Sequence, residues 1–577
     1  MSALKLPRKI ILEGKGTLTL RLPDYLSSGG EGSIYRVGNT VIKLYVDQDK
    51  MRYDGMAEKI TLLRKLTHPS IVAPCGIVTL PSGEPIGFHM AYVSGEPLSR
   101  VFTNDFRQRE GFTDEMAKIL VARMRETVDF AHDKGAILVD ANELNWLAQI
   151  KNTSEPMPYV IDVDSWAIGK FGASVIMPSI RDWHAKRFDQ ASDWFAWGIV
   201  TFQLWTGIHP YKGKLDGYRP GDLETRMKAN KSVFSPGVRL NRAVRDFRVI
   251  PAPLTEWYEA TFEKGLRTKP PSPLDTAVTA VNKRMIMRII TTQAGALIFE
   301  KLFEDVSRPI IGVFPSGILR LGDGTLLDLS TKRTIGKFLT PKSEVIKVEG
   351  GWLLASIVDG TLVADYVAEA TGLSERLSLP IALSGLFRSG NRLFAVTEQG
   401  LTEFALRLFG KPILAVGGTW GAPQRSTKFF DGVGIHDSLG AKFLILPFAE
   451  SACAIVRTPE LDSLTVVDAK GGARFVAVIA LKKNGEYERL EFTLDREHGS
   501  YVFSRTLADT PELNMVILPK GVVASVVDDG SLMILVPTNG KTVHVADKYI
   551  ATDMMLTRLD DQVLYIKDGA LWSVRMR

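Results

Sequence analysis

The sequence predicts a multidomain chain in which an α+β half is followed by an all-β half. Three observations carry this. At 577 residues the chain is too long for one hydrophobic core and calls for several domain-sized units. Up to about residue 290, β-like runs at 17–22 and 33–46 give way to segments with helical periodicity, such as 114–134 and 193–206. Beyond it, short runs of β-branched and aromatic residues alternate with Asp-Gly or Asn-Gly turns to the end. A proline-rich stretch at 269–273 and a last helix around 275–291 are expected to join the halves.

Composition narrows the class without naming an activity. Hydrophobic content of 45% and charged content of 24% are ordinary for a folded, soluble protein. The formal net charge of +6 is spread over 71 basic and 65 acidic residues, with no like-charge block that would read as a nucleic-acid tail. Cys75 and Cys453 stand far apart and fit neither a disulfide framework nor a metal spacing, so a reducing compartment is expected. The first residues lack a signal-peptide core, and no run of about 18 apolar residues occurs. The expected setting is therefore cytoplasmic, with no membrane partner and none indicated among nucleic acids.

In the first half, residues 26–37 (LSSGGEGSIYRV) place Gly29, Gly30 and Gly32 ahead of a β-like run containing Ile34. Glycines let backbone amides approach phosphates without side-chain obstruction, although a glycine cluster alone is more often a turn. Here Lys43 follows on the next strand, which is the order of a phosphate-covering hairpin and a phosphate-gripping lysine. Such a lysine needs a carboxylate to hold it. Glu58 lies in a helical segment leading into Leu62, Leu63 and Leu66, just before 66–72 (LTHPSIV). Counting back from His68 would select Lys59 instead, but one lysine does not pair with another, so Glu58 is expected rather than a solvated helix face.

Residues 87–95 (GFHMAYVSG) read as a strand running into a polar turn. Farther on, Asp140 and Asn145 follow a helix ending at Ala131 and His132, spaced as an aspartate that orients an attacking hydroxyl and an asparagine that holds a metal ion. A second acidic strand follows at 159–166 (YVIDVDSW). Alternation puts Asp162 and Asp164 on one face, and Asp164 is the expected metal ligand with Asp162 its rival. Asp193, at the start of a buried-type helix, is expected to anchor the loop carrying Asp140; it is also an ordinary cap position, and the two roles are compatible.

Together these features resemble the divergent bacterial protein-kinase-like domains often fused to helix-hairpin-helix modules. Gly29, Gly30, Gly32, the segment 58–60, the segment 87–90 and 161–166 carry the resemblance. No helix-hairpin-helix motif is present, so nothing about DNA is carried over. The resemblance implies a bilobal protein-kinase-like fold, with an N-lobe over 10–93 and a C-lobe over 94–290, using ATP and Mg2+. It implies Asp140, Lys43 and Glu58 as catalytic residues and Asn145 with Asp164 as metal ligands. Nucleotide contacts would come from Gly29, Gly30, Gly32, Ile34 and Lys43, with Met90 as gatekeeper and Ala91, Tyr92 and Val93 as hinge. Departures are equally visible: Leu138 and Val139 precede Asp140 in place of His-Arg, Asn142 stands where many such kinases carry lysine, and Ser165 and Trp166 replace Phe-Gly. Without an arginine beside Asp140, control by an activation-loop phosphate is not expected.

In the second half, Asp323-Gly324, Asp359-Gly360, Gln399-Gly400, Asn484-Gly485, Asp529-Gly530 and Asp568-Gly569 each join two β-like runs. They recur at about 35 to 50 residues, and the wide gap holds a seventh candidate, 443–456, turning at 449–452. This reads as a β-propeller over 291–577, seven blades with six as the fallback, or else a pair of β-sandwiches. The last hairpin leaves its sheet one strand short, so a strand near 296–303 is expected to complete it. The expectation is an ATP-dependent phosphotransferase, a protein Ser/Thr kinase whose propeller binds a protein substrate or regulator. An ATP-binding pseudokinase scaffold and a small-molecule kinase are the alternatives.

Overall fold

The structure is a computed structural model describing residues 6, 8–47, 49–150, 155–173, 176–241, 243–274, 297–338, 340, 343–472, 474–527, 530–537, 539–547, 549–550 and 554–576. Two compact units emerge, one made chiefly of residues up to 289 and the other chiefly of those from 290 onward. The last helix expected around 275–291 and the turn residue Asp529 lie outside the described residues.

The first unit opens with β1 (Arg8–Leu12), β2 (Gly16–Leu20), β3 (Tyr25–Ser28), β4 (Gly32–Val37) and β5 (Thr40–Tyr45), then helix α1 (Met56–Leu63), β6 (Pro74–Thr79) and β7 (Pro85–Ala91). These strands make one curled sheet in the order β2-β1-β6-β7-β5-β4-β3, with antiparallel neighbours. Alternation explains the face it buries: Ile10, Leu12, Leu20, Tyr35, Ile42, Leu44 and Val78 point into one apolar layer. Close strand packing fixes two glycines. A Cβ on Gly87 would lie 2.0 Å from the Lys43 carbonyl oxygen, and one on Gly32 would lie 2.6 Å from that of Leu44.

Helices dominate the rest of this unit. Helix α2 (Asp114–Asp133) is started by Thr113, whose side chain accepts from Met116 N–H, and buries Ala117, Leu120, Val121, Met124 and Val128 at helical spacing. A short hairpin follows, β8 (Trp146–Gln149) against β9 (Met157–Val160). Helix α3 (Gln190–Thr206) is capped reciprocally by Asp189 and Ser192, is buried from Ser192 to its end, and stops at Gly207 in the left-handed region. Its aromatic side chains pack edge-on against helix α4 (Ala252–Phe262): Trp197 on Trp257 and Phe202 on Tyr258 and Phe262. Continuous apolar character is what an all-round buried helix requires.

Among the described residues the second unit holds seven four-stranded sheets. Six use consecutive strands, within 310–337, 343–382, 385–420, 427–457, 465–508 and 515–545. The seventh combines Met555–Leu559, Gln562–Lys567 and Ala570–Met576 with the earlier strand Leu297–Glu304, which pairs antiparallel to the last from Leu297 opposite Met576 to Glu304 opposite Ala570. The strand expected near 296–303 thus does complete the last sheet. In the sheet of 427–457 the hairpin anticipated at 449–452 joins the third and fourth strands. The turn equivalent to the Asp-Gly turns is Leu439-Gly440, with Leu439 at φ 54°.

Candidate phosphotransfer site

The site is assembled from β5, the loop before β8, and the turn after β9. Lys43 is buried on β5, and its Nζ donates to Asp162 Oδ1 at 2.5 Å and to Asp164 Oδ1 and Oδ2 at 2.9 and 2.7 Å. The β8–β9 hairpin delivers these acids: Val160 pairs with Trp146, and the next residue, Ile161, donates its N–H to Asn145 O at 2.9 Å. Ile161 therefore lies opposite Asn145, and Asp162 follows it at the hairpin mouth. Asp162 has φ 59° and ψ 37°, uncommon for a residue with a side chain, and the chain turns there so that Ser165 N–H and Oγ both donate to its carbonyl.

The two acids differ in access. The Asp164 side chain is 1% exposed and the Asp162 side chain 37%. Both Asp164 oxygens accept from Lys43, and Oδ2 also accepts from Tyr45 O–H at 2.5 Å. Burial opposes ionisation of Asp164, yet the Lys43 ammonium outweighs it and holds this carboxyl below its usual range. Burial pushes Asp162 upward despite Lys43. For Lys43 itself burial would favour the neutral amine, but the Asp164 and Asp162 charges prevail and raise it above an ordinary lysine. Sequence alternation does not apply across this segment, because β9 ends at Val160 and a 3-10 turn covers Val163–Ser165.

Asp140 stands on a loop held from below. Asp193, at the start of α3, accepts from Leu138 N–H at 2.7 Å, Val139 N–H at 2.9 Å and His132 Nε2 at 2.9 Å. The loop anchor expected of Asp193 is thus present, and it clamps Val139 at φ 62°, a strained conformation for a β-branched residue. Asp140 Oδ1 accepts from Met177 N–H at 2.8 Å and Asn142 Nδ2 at 3.1 Å, while Asn145 Nδ2 donates to the Asp140 carbonyl at 2.7 Å. Burial raises the Asp140 carboxyl to about 6, against the two hydrogen bonds that favour its ionised form.

Glu58 is corrected by this geometry. Its carboxylate is 58% exposed and pairs with Lys170 at 2.9 Å, so the structure does not bring it to Lys43. The neighbouring Lys59 turns inward instead, 3% exposed, with Nζ donating to the carbonyls of Asp164 at 2.7 Å and Gly172 at 3.2 Å. One step along a helix rotates a side chain by about 100°, so only one of the pair can face inward. Sequence reasoning also missed Tyr45, two residues after Lys43 and on the same strand face. Asp164, the expected metal ligand, is enclosed, whereas Asp162 is the open carboxylate.

The expected nucleotide contacts are distributed along the sheet. Gly29 and Gly30 face open space on the turn between β3 and β4, closed by Gly29 N–H to Gly32 O at 2.9 Å, and Ile34 is half-buried on β4. Met90 and Ala91 end β7; Tyr92 N–H is taken by Asn39 O at 2.9 Å, and Arg36 lies over the Tyr92 ring. Val93 is half-buried just beyond.

This chain is similar to a bacterial serine/threonine-protein kinase. One curated relative, serine/threonine-protein kinase pkn3 of Myxococcus xanthus, is 21% identical over 214 residues, covering 33% of this chain. The matched part makes up only 38% of that kinase's length. No family model matches the chain. A distant kinase-like relationship is what the similarity supports, and it agrees with the polar constellation of the first unit. Among the described residues, no group of three or more His, Cys, Asp or Glu side chains could hold a metal ion. No helix among them is long and apolar enough to cross a membrane.

Proposed function

We propose that the first unit is a bilobal kinase-like domain that transfers the γ-phosphoryl group of ATP to a protein Ser or Thr hydroxyl, in the cytoplasm. The observation that carries this reading is the convergence of Lys43, Asp162, Asn145 and Asp140 from three separate segments: Lys43 bonds Asp162, Asn145 bonds Asp140, and Ile161, next to Asp162, bonds Asn145. In this reading Lys43 engages the phosphates beneath the Gly29–Gly32 turn, and the end of β7 receives adenine. Asp140, in its ionised form, orients the substrate hydroxyl and takes its proton as the oxygen bonds to phosphorus and ADP departs.

The donors fit a divalent cation. Asp162 is accessible, and the Asn145 amide, whose nitrogen is committed to the Asp140 carbonyl, turns its oxygen away from that bond. Two hard oxygen donors leave the remaining positions to phosphate and water, as magnesium sites generally do. When bound, the ion would neutralise phosphate charge; Asp162 replaces Asp164 as its proposed ligand because Asp164 is enclosed by Lys43 and Tyr45.

The seven four-stranded sheets, the last sharing strands from both ends of the unit, support reading the second unit as a seven-bladed β-propeller. Its proposed task is to bind a protein substrate or regulator. One observation favours a second reading, a nucleotide-binding pseudokinase: Met177 N–H and Asn142 Nδ2 both hold Asp140 Oδ1, which leaves only Oδ2 to meet a substrate hydroxyl. Purified protein with labelled ATP and magnesium, wild type beside Asp140→Ala and Asp162→Ala, followed by mass spectrometry, separates the readings. Transfer lost in both variants supports the kinase; ATP binding without transfer to a broad protein panel supports the pseudokinase; labelled metabolites alone point to a small-molecule kinase.

A further inference from the structure

The way Lys43 is held departs from the arrangement in which a helix carboxylate grips the phosphate lysine. Helix α1 offers Glu58 to solvent and Lys59 to the interior, so it contributes a buried cation and no anion. The carboxylates on Lys43 come instead from the turn after β9: Asp162 Oδ1 lies at 2.5 Å from Nζ, and both Asp164 oxygens lie within 3 Å of it. Asp164 is fixed from two further directions: Tyr45 O–H donates to its carboxylate, and Lys59 Nζ to its backbone carbonyl. Lys59 also reaches the Gly172 carbonyl, tying both ends of the segment 164–172 to α1. A buried cation with no carboxylate of its own is tolerable here because two carbonyl dipoles receive it, although burial still disfavours its charge.

We propose that Asp164 is the positioning residue of this site, holding the Lys43 ammonium in place of a helix carboxylate, while Lys59 holds Asp164. The proposal rests on the phosphotransferase reading for its catalytic consequence, but the clasp itself is a property of the first unit. A division of labour follows between two acids two residues apart. Asp162, which also touches Lys43 but is open to solvent, is free to serve the cation; Asp164, closed off, serves the lysine alone. Lys43 would then keep its place irrespective of the Glu58 side chain.

Two measurements on the full chain test this separately. The first is the rate at which an amine-reactive reagent labels Lys43 at one fixed pH, read by peptide mass spectrometry in wild type, Glu58→Gln and Asp164→Asn, each checked by melting. Both Asp164 oxygens pin the buried Lys43 side chain, and removing their charge weakens that hold, so Asp164→Asn is expected to speed Lys43 labelling at least about tenfold, and Glu58→Gln less than about twofold. If the asparagine chain fails to fold, Asp164→Ser, which keeps the carbonyl that Lys59 holds, takes its place. The second is phosphotransfer against ATP and magnesium. Asp164→Asn should lower kcat with little change in the magnesium requirement, whereas Asp162→Asn should raise that requirement. Faster labelling in Asp164→Asn upholds the clasp even if wild type transfers nothing, in which case the enzyme reading alone fails. Unchanged labelling in the Asp164 variants, or an equal effect of Glu58→Gln, overturns it.

Discussion

Replacing Asp140 by asparagine should change stability in a way that depends on pH, and the sign follows from its burial. In the folded chain its carboxyl titrates at about 6 rather than the ordinary 3.8. The folded state therefore holds a proton that the unfolded state has already released between those values. Below about pH 4 both states are protonated and the group costs nothing; as pH rises to 6 the wild type loses stability, and beyond that the loss is constant. At about 1.4 kcal/mol per pH unit the full effect is about 3 kcal/mol, an upper figure because part of the group remains solvated. Asp140→Asn keeps the shape and cannot ionise, so its stability minus that of wild type should rise by about 1–3 kcal/mol between pH 4 and pH 7. Hydrogen exchange of helix α3 amides in a urea series reads this unit specifically. In transfer assays the same group must be ionised to act, so wild-type kcat/KM should climb through an acid limb near pH 6, and Asp140→Asn should be at least about a hundredfold slower. A stability difference flat across pH 4 to 7 would refute the burial argument; an acid limb persisting unchanged in Asp140→Asn would refute the assignment of the base.

Three further outcomes are expected. Asp193→Ala strands the buried N–H groups of Leu138 and Val139 and frees a strained backbone, so the first unit should lose about 3–5 kcal/mol by urea unfolding; a loss under about 1 kcal/mol would show that the anchor is dispensable. Phosphatase-treated protein should keep its transfer rate, because Val139 offers no cation to an activation-loop phosphate, and a large loss traced to a phosphosite between Ser165 and Asp193 would contradict this. Deleting residues 571–577 removes almost all of the strand that pairs with Leu297–Glu304, so the second unit should melt at markedly lower temperature while ATP binding by the same truncated chain persists; unchanged melting would show that this pairing contributes little.

Much of the framework was legible because local signals and tertiary needs agree. Helices α2 and α3 carry their caps and apolar spacing in the sequence, and the Gly29–Lys43 segment forms the expected hairpin, split by the turn at Gly38 and Asn39. In the all-β half, Asp-Gly pairs mark turns because both residue types tolerate positive φ, as Asp359 at 47° and Asp568 at 51° do. Leu439-Gly440 performs the same turn without the polar signal, so the sequence points to the next hairpin, at 449–452, one strand later. The completing strand at Leu297–Glu304 could be inferred because an unpaired sheet edge is a physical liability irrespective of residue identity.

The inner site resisted reading for a different reason. Choosing Glu58 over Lys59 assumed that a buried charge is answered by an opposite side-chain charge, but backbone carbonyls are also acceptors and carry no sequence signature. Asp164 and Gly172 supply them to Lys59 only after the turn after β9 has formed. The same turn decides between the two acids. Had the strand continued, Asp162 and Asp164 would share one face and one fate; because Asp162 adopts a left-handed conformation, the chain reverses and the second acid is drawn beneath Lys43 while the first stays at the opening. A left-handed residue followed by a 3-10 turn thus separates a carboxylate able to meet a cation from one committed to a lysine. Residue type alone does not fix that conformation, since aspartate is enriched there several-fold but at most of its positions is not left-handed. The kinase-like order of the motifs was accordingly readable, while the assignment of roles within the Asp162–Asp164 pair required the three-dimensional path of three residues.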